Sequence, residues 1–365
     1  MRKMQILKLL DQLVGRVLCA LPGQPSPRKP QKTNIRKILV IRPGGIGDAV
    51  LLLPAIVAIK IKYPNDSITV LAEKRNAEVF KLCSAIGNLF LYDSPKDFLA
   101  ATLGKYDVVI DTEQWHRLSA VVARFTRAQV KIGFSTNERS RLFTHHIPYS
   151  HDEYEANSFL NLLMPLGIDK HTSLPDNFLS VPEIAKQRAE GLLGDFSGKS
   201  FIAIFPGGSI PERRWGAERF KGLTGKLNAE GIPVVVVGGK EDVSAGEIII
   251  AGNYGINLAG KTSLVETAAV IEKSAVLVSG DSGILHVGVA LGRPTVSLLG
   301  PGIAKKWAPR GPRHIVINKN LPCSPCTKFG YTPKCPINAR CMAEITVGEV
   351  VGAVEKLNRT EEAKR

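Results

Sequence analysis

The carboxylate of Asp48 stands in the run Arg42-Pro43-Gly44-Gly45-Ile46-Gly47-Asp48-Ala49-Val50, between two apolar segments. The segment before it, Ile38-Leu39-Val40-Ile41, reads as a buried parallel strand, and the one after it, residues 51–59, reads as a helix. A strand, a turn containing Gly44, Gly45 and Gly47, and a helix place backbone N–H groups around a polar ligand. An acidic group near a helix N-terminus is electrostatically favoured. If it faces a cleft, it can also take a proton as a general base. Taken alone, Asp48 reads equally as a helix cap. A second strand–loop–helix of the same layout follows at Val276-Leu277-Val278-Ser279-Gly280-Asp281-Ser282-Gly283. The repetition predicts two Rossmann-like halves facing one another.

Three loops in the second half are candidates for ligand chemistry, because open α/β sheets bind ligands beyond the carboxyl ends of their strands. The first is Pro206-Gly207-Gly208-Ser209-Ile210-Pro211-Glu212-Arg213-Arg214-Trp215. Its glycines permit close approach, Ser209 offers a hydroxyl, and Arg213 or Arg214 can neutralise phosphate oxygens. The second is Gly238-Gly239-Lys240-Glu241-Asp242, where an acidic side chain can accept hydrogen bonds from ribose hydroxyls. The third runs from Gly280 through Asp281, Ser282 and Gly283 to His286, and offers helix N-terminal amides at Ser282 and Gly283 to a diphosphate. Each has a plain structural alternative. Asp281 can be an N-cap, His286 a core histidine, Arg213 and Arg214 a solvated loop, and Trp215 a packing anchor. Three such loops in order argue more strongly than any one.

The elements that position these residues alternate along the chain. Strand-like runs at 37–42, 67–72, 89–93, 107–111 and 129–134 are separated by helix-like stretches at 49–62, 76–86, 95–103 and 117–127. The pattern blurs over 150–200. It restarts with strands at 201–205, 233–237, 275–279, 294–299 and 314–317 and helices near 216–230, 242–251, 263–273 and 283–291. Such alternation predicts mostly parallel sheets with helices on both faces. The expected divisions are an arm and linker at 1–36, one Rossmann-like domain at 37–180, a second at 181–345, and a closing helix and tail at 346–365.

Composition agrees with a two-domain globular protein: 365 residues, 44% hydrophobic and 22% charged. Of the formal charge of +15, the first 37 residues supply +8, with nine Lys/Arg against Asp11. The remaining excess suits phosphate-bearing ligands without requiring nucleic acid, and aromatic residues, at 6%, do not interleave with a basic stripe. Lys8, Asp11 and Arg16 interrupt the apolar N-terminal residues, so the arm is neither a secretory signal nor a membrane span. Its apolar spacing at 6, 10, 13, 14, 17, 18 and 21 marks one helical face. That face either lies on an anionic membrane surface or docks on the protein's own body.

Four blocks carry a resemblance. They are G-G-I-G-D-A-V-L-L-L-P-A (44–55), P-G-G-S-x4-R-W (206–215), V-V-V-V-G-G-K-E-D (234–242) and S-G-D-S-G-I-L-H-x4-L-G-R-P-T-V-S-L-L-G-P (279–301). The chain resembles the ADP-heptose:lipopolysaccharide heptosyltransferases, glycosyltransferase family 9, over residues 37–357. The resemblance implies a GT-B fold, α/β, with two Rossmann-like doubly wound parallel-sheet domains facing across a cleft. The first domain would take the acceptor and the second the nucleotide sugar. Asp48 matches the family's catalytic base. Ser209, Arg213 or Arg214, Asp281, Ser282, Gly283 and His286 fall in the donor site, and Glu241 or Asp242 would take the adenosine ribose. Family members commonly carry lysine where Arg213 stands, which leaves the choice between the two arginines open.

The implied reaction is inverting transfer of heptose from ADP-heptose to a lipid A–core acceptor. No cofactor or metal is expected in it, because Arg213, Ser209 and the helix N-terminus supply the charge for the leaving diphosphate. The setting would be cytoplasmic and peripheral, on the anionic inner face of the inner membrane. Acceptor-facing residues are expected around Asp111, Glu113, Gln114, His116 and Arg117, with Arg139 and Arg141. Cys323, Cys326, Cys335 and Cys341 have partly zinc-like spacing, and read as a structural metal site, reduced structural thiols or a redox pair. Rivals are the same fold with another nucleotide sugar, a non-catalytic nucleotide-binding protein, and a nicotinamide oxidoreductase. The last requires G-x-G-x-x-G, and residues 45–50 read G-I-G-D-A-V, without the third glycine.

Overall fold

The computed structural model describes residues 11–20, 37–169, 171, 178–328 and 331–362. The chain divides into two compact units, Met1–Phe178 and Leu179–Arg365.

In the first unit a π-helical turn, Asp11–Gly15, leads into α1 (Arg16–Ala20). Then follow β1 (Lys37–Arg42), α2 (Ile46–Lys62), β2 (Ser67–Ala72), α3 (Ala77–Phe80), β3 (Asn88–Leu91), α4 (Pro95–Leu103) and β4 (Val108–Asp111). The unit is completed by α5 (Arg117–Phe125), β5 (Val130–Phe134), β6 (His145–Ile147) and α6 (Glu155–Asn161). The strands form one parallel sheet in the order β3-β2-β1-β4-β5-β6. β1, β2 and β4 are buried on both faces, and this is why their sequences are continuous apolar runs rather than alternations. Leu39, Ile41, Leu71 and Val109 pack with Ala101 of α4 and Ala120 and Ala123 of α5 on one face. Val40 and Ile110 meet Leu52 and Ile56 of α2 and Phe159 of α6 on the other. The strand order reverses between β1 and β4, so the carboxyl ends of these two strands form the unit's switch point.

The second unit runs α7 (Glu183–Leu193), β7 (Ile202–Phe205), α8 (Ala217–Ala229), β8 (Val234–Val236), α9 (Val243–Ile250), β9 (Gly255–Asn257), α10 (Leu264–Lys273) and β10 (Val276–Gly280). It continues with α11 (Gly283–Ala290), β11 (Thr295–Leu298), α12 (Ala304–Trp307), β12 (His314–Ile317), α13 (Arg340–Ala343) and α14 (Val347–Glu362). Its parallel sheet has the order β12-β11-β10-β7-β8-β9, with the switch between β7 and β10. Val350, Val354 and Leu357 of α14 are in the same core as Val276, Val278 and Phe220, so the last helix is an integral layer of this unit.

Several elements depart from the expected pattern. β6 and β9 each have three residues and close a sheet edge, where one neighbour and partial burial leave little apolar signature. α3 ends at Phe80, and the expected stretch to 86 is turns. Of the N-terminal arm, residues 11–20 dock on the protein's own body. Cys19 is buried in the core, and Asp11 accepts the Arg117 and Leu118 N–H groups at 2.6 and 2.9 Å, capping α5. Residues 1–10 and 21–36 of the expected arm lie outside the described residues.

Candidate active site

Asp48 is in the first turn of α2, whose N-cap is Gly45, so it is not the capping residue. Its carboxylate turns instead to Arg42, the last residue of β1, whose Nη2 lies 3.2 Å from Oδ2. The Arg42 side chain is 2% exposed and that of Asp48 is 32% exposed, so the pair joins a buried cation to an accessible anion. The glycines of the turn have different jobs. Gly44 adopts φ +115°, and a Cβ there would meet Arg42 Nη2 at 2.8 Å. It lets the chain wrap around the guanidinium. Nothing lies within 4 Å of a Cβ built at Gly45, which leaves space beside Asp48 for a ligand. Gly47 lies within the first turn of α2.

Arg42 also donates from Nη1 to the Thr112 carbonyl (2.8 Å) and to Gln114 Oε1 (3.3 Å), and Gln114 Nε2 donates to Glu155 Oε1 (2.6 Å). Tyr149 donates its hydroxyl to Glu155 Oε2 at 2.8 Å. Burial and the Glu155 carboxylate push the Tyr149 hydroxyl well up, so it stays protonated. Burial alone would raise Glu113, but Arg42, His116 and Arg139 outweigh it and hold its carboxyl below the usual range. Sequence reasoning did not single out Arg42, Tyr149 or Glu155. A signal was present at Arg42: a charge at the end of a fully apolar strand is buried only when paired.

The residues expected to face an acceptor divide into two groups. Asp111 and Arg139 are fully buried and paired with one another, and Arg139 also holds the Glu113 carbonyl. Arg117 is buried against Asp11 and Glu138. These side chains brace the sheet end. His116 and Arg141 are the exposed members of the set, and Trp115, beside His116 in the chain, is exposed with them.

In the second unit the switch point gathers Arg213 and Asp281. Arg213 Nη1 lies 3.4 Å from Asp281 Oδ2, which makes no hydrogen bond among the described residues. A Cβ at Gly280 would meet the Arg213 carbonyl at 2.7 Å, so the β10 end and the 206–215 loop touch through a glycine. Arg214 turns away and donates from Nε and Nη2 to the Gly208 carbonyl at 3.1 and 2.9 Å. The N-cap of α11 is Ser282, whose hydroxyl accepts from Leu285 N (3.2 Å) and bonds Ser279 Oγ (2.9 Å). Asp281 precedes that cap and is left to face Arg213. Gly283 opens the helix. His286 is buried on α11; burial holds it below its ordinary value against the pull of Asp281, and its Nδ1 has no partner among the described residues. Ser209 is exposed on the same loop.

Asp242 is buried, and its Oδ2 accepts the Gly239 N–H at 2.9 Å. Cβ atoms at Gly207 and Gly238 would lie 2.5 and 2.7 Å from it. These glycines make room for a structural carboxylate, and Glu241 is the exposed acid of the pair. Trp215 is 1% exposed and donates Nε1 to the Ile345 carbonyl, the role of a packing anchor. Cys323, Cys326, Cys335 and Cys341 are free thiols on a segment tied to the β11 loop by Ser324 Oγ–Gly300 O (2.6 Å) and Thr327 N–Pro301 O (3.0 Å). Burial, then the neighbouring thiols, push Cys326 up.

Two doubly wound parallel sheets, each with its polar loops at the switch point, are the architecture of the GT-B glycosyltransferases. Solved structures share this fold. The glycosyl transferase family 9 protein of Veillonella parvula superposes with a TM-score of 0.78 at 23% identity, covering 89% of this chain and 98% of that one. Escherichia coli ADP-heptose lps heptosyltransferase II gives 0.72 at 24% identity, with 89% and 99% covered. In sequence the chain is 26% identical over 287 residues to Escherichia coli lipopolysaccharide heptosyltransferase 3, covering 72% of this chain and 83% of that protein. Residues 99–335 match the profile of glycosyltransferase family 9 (heptosyltransferase). The chain belongs to that family and is a glycosyltransferase.

Proposed function

We propose that this enzyme moves heptose from ADP-heptose to a sugar of the lipopolysaccharide inner core, with inversion at the anomeric carbon and without a catalytic metal. The observation that carries the reading is the Asp48 carboxylate, fixed by Arg42 beside the open Gly45 at the switch point of the first unit. Relatives named for lipopolysaccharide and ADP-heptose support the substrate pair. In the reaction, Asp48 takes the proton of the acceptor hydroxyl as its oxygen bonds to the anomeric carbon. The bond from that carbon to the diphosphate breaks, and its electron pair leaves with ADP. Arg213, Ser209 and the amides of Ser282 and Gly283 receive the developing charge, Glu241, the exposed acid of its pair, takes the ribose, and Asp281 and His286 shape the pocket around them. One displacement with one base inverts configuration. These cationic and amide donors supply the stabilisation that a divalent ion provides in other transferases.

Among the described residues no helix is long and apolar enough to cross a membrane. We assign the basic residues of 1–36 to the anionic inner face of the inner membrane, where a lipid-linked acceptor would be met. The test is a donor screen on the purified protein with a lipid A–core acceptor, with and without chelator. ADP-heptose should be used in preference to other sugar nucleotides, with turnover unchanged by chelator. Preference for another donor, or loss of turnover with chelator restored by a divalent ion, overturns the corresponding part. Asp48→Asn should lower kcat at least about a hundredfold, the low end for removing a general base, while ADP affinity holds. Retained turnover would remove Asp48 from the mechanism.

A further inference from the structure

A line of side chains behind Asp48 has no part in the chemistry above. Arg42 at the end of β1, Gln114 in the loop after β4, Tyr149 in the loop after β6 and Glu155 at the start of α6 come from separate stretches of the chain. They are joined in sequence: Asp48 Oδ2 to Arg42 Nη2 at 3.2 Å, Arg42 Nη1 to Gln114 Oε1 at 3.3 Å, and Gln114 Nε2 to Glu155 Oε1 at 2.6 Å. Tyr149 Oη closes the line on Glu155 Oε2 at 2.8 Å, and the ring of Phe159 lies 5.5 Å from the guanidinium carbon. Arg42 is 1% exposed and Glu155 0%. Burying a cation and an anion is a poor way to hold a fold, since apolar side chains of the same volume commonly do as well or better. Between half-buried Tyr149 and Asp48, whose side chain is 32% exposed in the glycine turn, Arg42, Gln114 and Glu155 are buried.

We propose that Arg42 is the positioning residue of the catalytic base, clamping Asp48 Oδ2, and that Glu155, acting through Gln114, sets the direction of Arg42's fork. This rests on the reading of Asp48 as the base. A guanidinium beside a carboxylate favours its charged form, but a base held too firmly as an anion accepts a proton poorly. Glu113 feels the same guanidinium, which divides its pull, and Glu155 is linked to that guanidinium through Gln114. When the acceptor's proton reaches Asp48, Arg42 loses that counter-charge, and the buried Glu113 carboxylate keeps it from becoming an uncompensated cation. The other charged or titratable groups near Asp48 and Arg42 are Tyr149, Asp111, His116 and Arg139, with Glu73, Lys74 and Arg75 on the β2 loop, from which Asn76 holds the Arg42 carbonyl at 3.1 Å.

The experiment is the pH profile of kcat/KM for the wild type, Arg42→Lys, Arg42→Met and Glu155→Gln, with ADP affinity measured on each. Arg42→Met should move the acidic limb up by about one to three pH units, the range for losing a close opposite charge. Arg42→Lys keeps the charge and loses the fork; its limb should stay near wild type while its plateau falls by about tenfold. Glu155→Gln should move the limb down and lower the plateau, because a buried negative charge is lost from behind Arg42 and Gln114 loses the charged acceptor that orients it. ADP affinity should not change in any of them. A wild-type limb in both Glu155→Gln and Arg42→Met, or a lysine limb displaced as far as methionine's, overturns the proposal. If Arg42→Met does not fold, the lysine and glutamine variants decide it. Loss of turnover in Asp48→Asn with unmoved limbs in the Arg42 and Glu155 variants refutes this inference alone, whereas full turnover in Asp48→Asn refutes the base itself.

Discussion

Arg213 and Arg214 are neighbours in the chain with opposite employment. Arg213 faces the Asp281 carboxylate at 3.4 Å, on the side of the Ser282 cap, whereas Arg214 spends its fork on the Gly208 carbonyl. A charge-assisted hydrogen bond is worth about 1.5–3 kcal/mol. On the proposed reading of Arg213 as the diphosphate's cation, Arg213→Ala should therefore weaken ADP binding by about tenfold or more, read by calorimetry, because it also strips Asp281 of its cation. Arg214→Ala should leave ADP affinity within about threefold and lower the melting temperature instead, since it unties a loop. Equal losses of affinity would show that both arginines hold phosphate. Adjacent residues of one type cannot be told apart by pattern, and here the distinction comes from a bond across six positions of a folded loop. The same holds for Glu241 and Asp242, of which only the second reaches back to the Gly239 N–H. For Asp48 the pattern left a cap and a base equally open, and the fold removes the cap, since Gly45 is the N-cap of α2.

The central strands β1, β4, β7 and β10 were readable because their middles are buried on both faces and form unbroken apolar runs of three or four residues. β6 and β9 were not, being three residues long with little apolar run, whereas the other edge strands β3 and β12 each carry three consecutive apolar residues. The glycine turn between β1 and α2 was readable as a turn, but not as two glycines with separate duties. Gly44 carries φ +115° and crowds Arg42 Nη2, so Gly44→Ala meets both backbone strain and a steric conflict. It should cost about 1–3 kcal/mol, measured by chemical denaturation, and reduce turnover by displacing Arg42. Gly45 sits at φ −79° and ψ 164° in open space, so Gly45→Ala should fold with near wild-type stability. Any loss of turnover it shows would be in ligand approach. A stable, active Gly44→Ala would mean that the turn does not hold Arg42.

Two units of comparable size, each with its own core, are expected to unfold as separate cooperative blocks, so one melting temperature does not describe the chain. The second unit carries two imidazoles that burial keeps uncharged: His286, and His314 beside Thr295 Oγ1 at 2.9 Å, the latter held at about 4. A folded value below the unfolded value of about 6.5 means that the unfolded chain binds more protons in between. The stability these groups contribute is complete above about pH 6.5 and is lost as pH falls below it, for His314 down to about 4, at up to about 1.4 kcal/mol per pH unit for each histidine. Carboxylates held low, such as Glu349 at about 2, act in a separate and lower window, from about 4.5 down. Trp215 and Trp307 lie in the second unit and Trp115 in the first, so fluorescence of Trp115→Phe follows the second unit alone. Its urea midpoint should fall between pH 6.5 and 4.5, and His314→Asn should flatten that slope by up to one proton. A slope that His314→Asn leaves unchanged would show that another group carries the linkage.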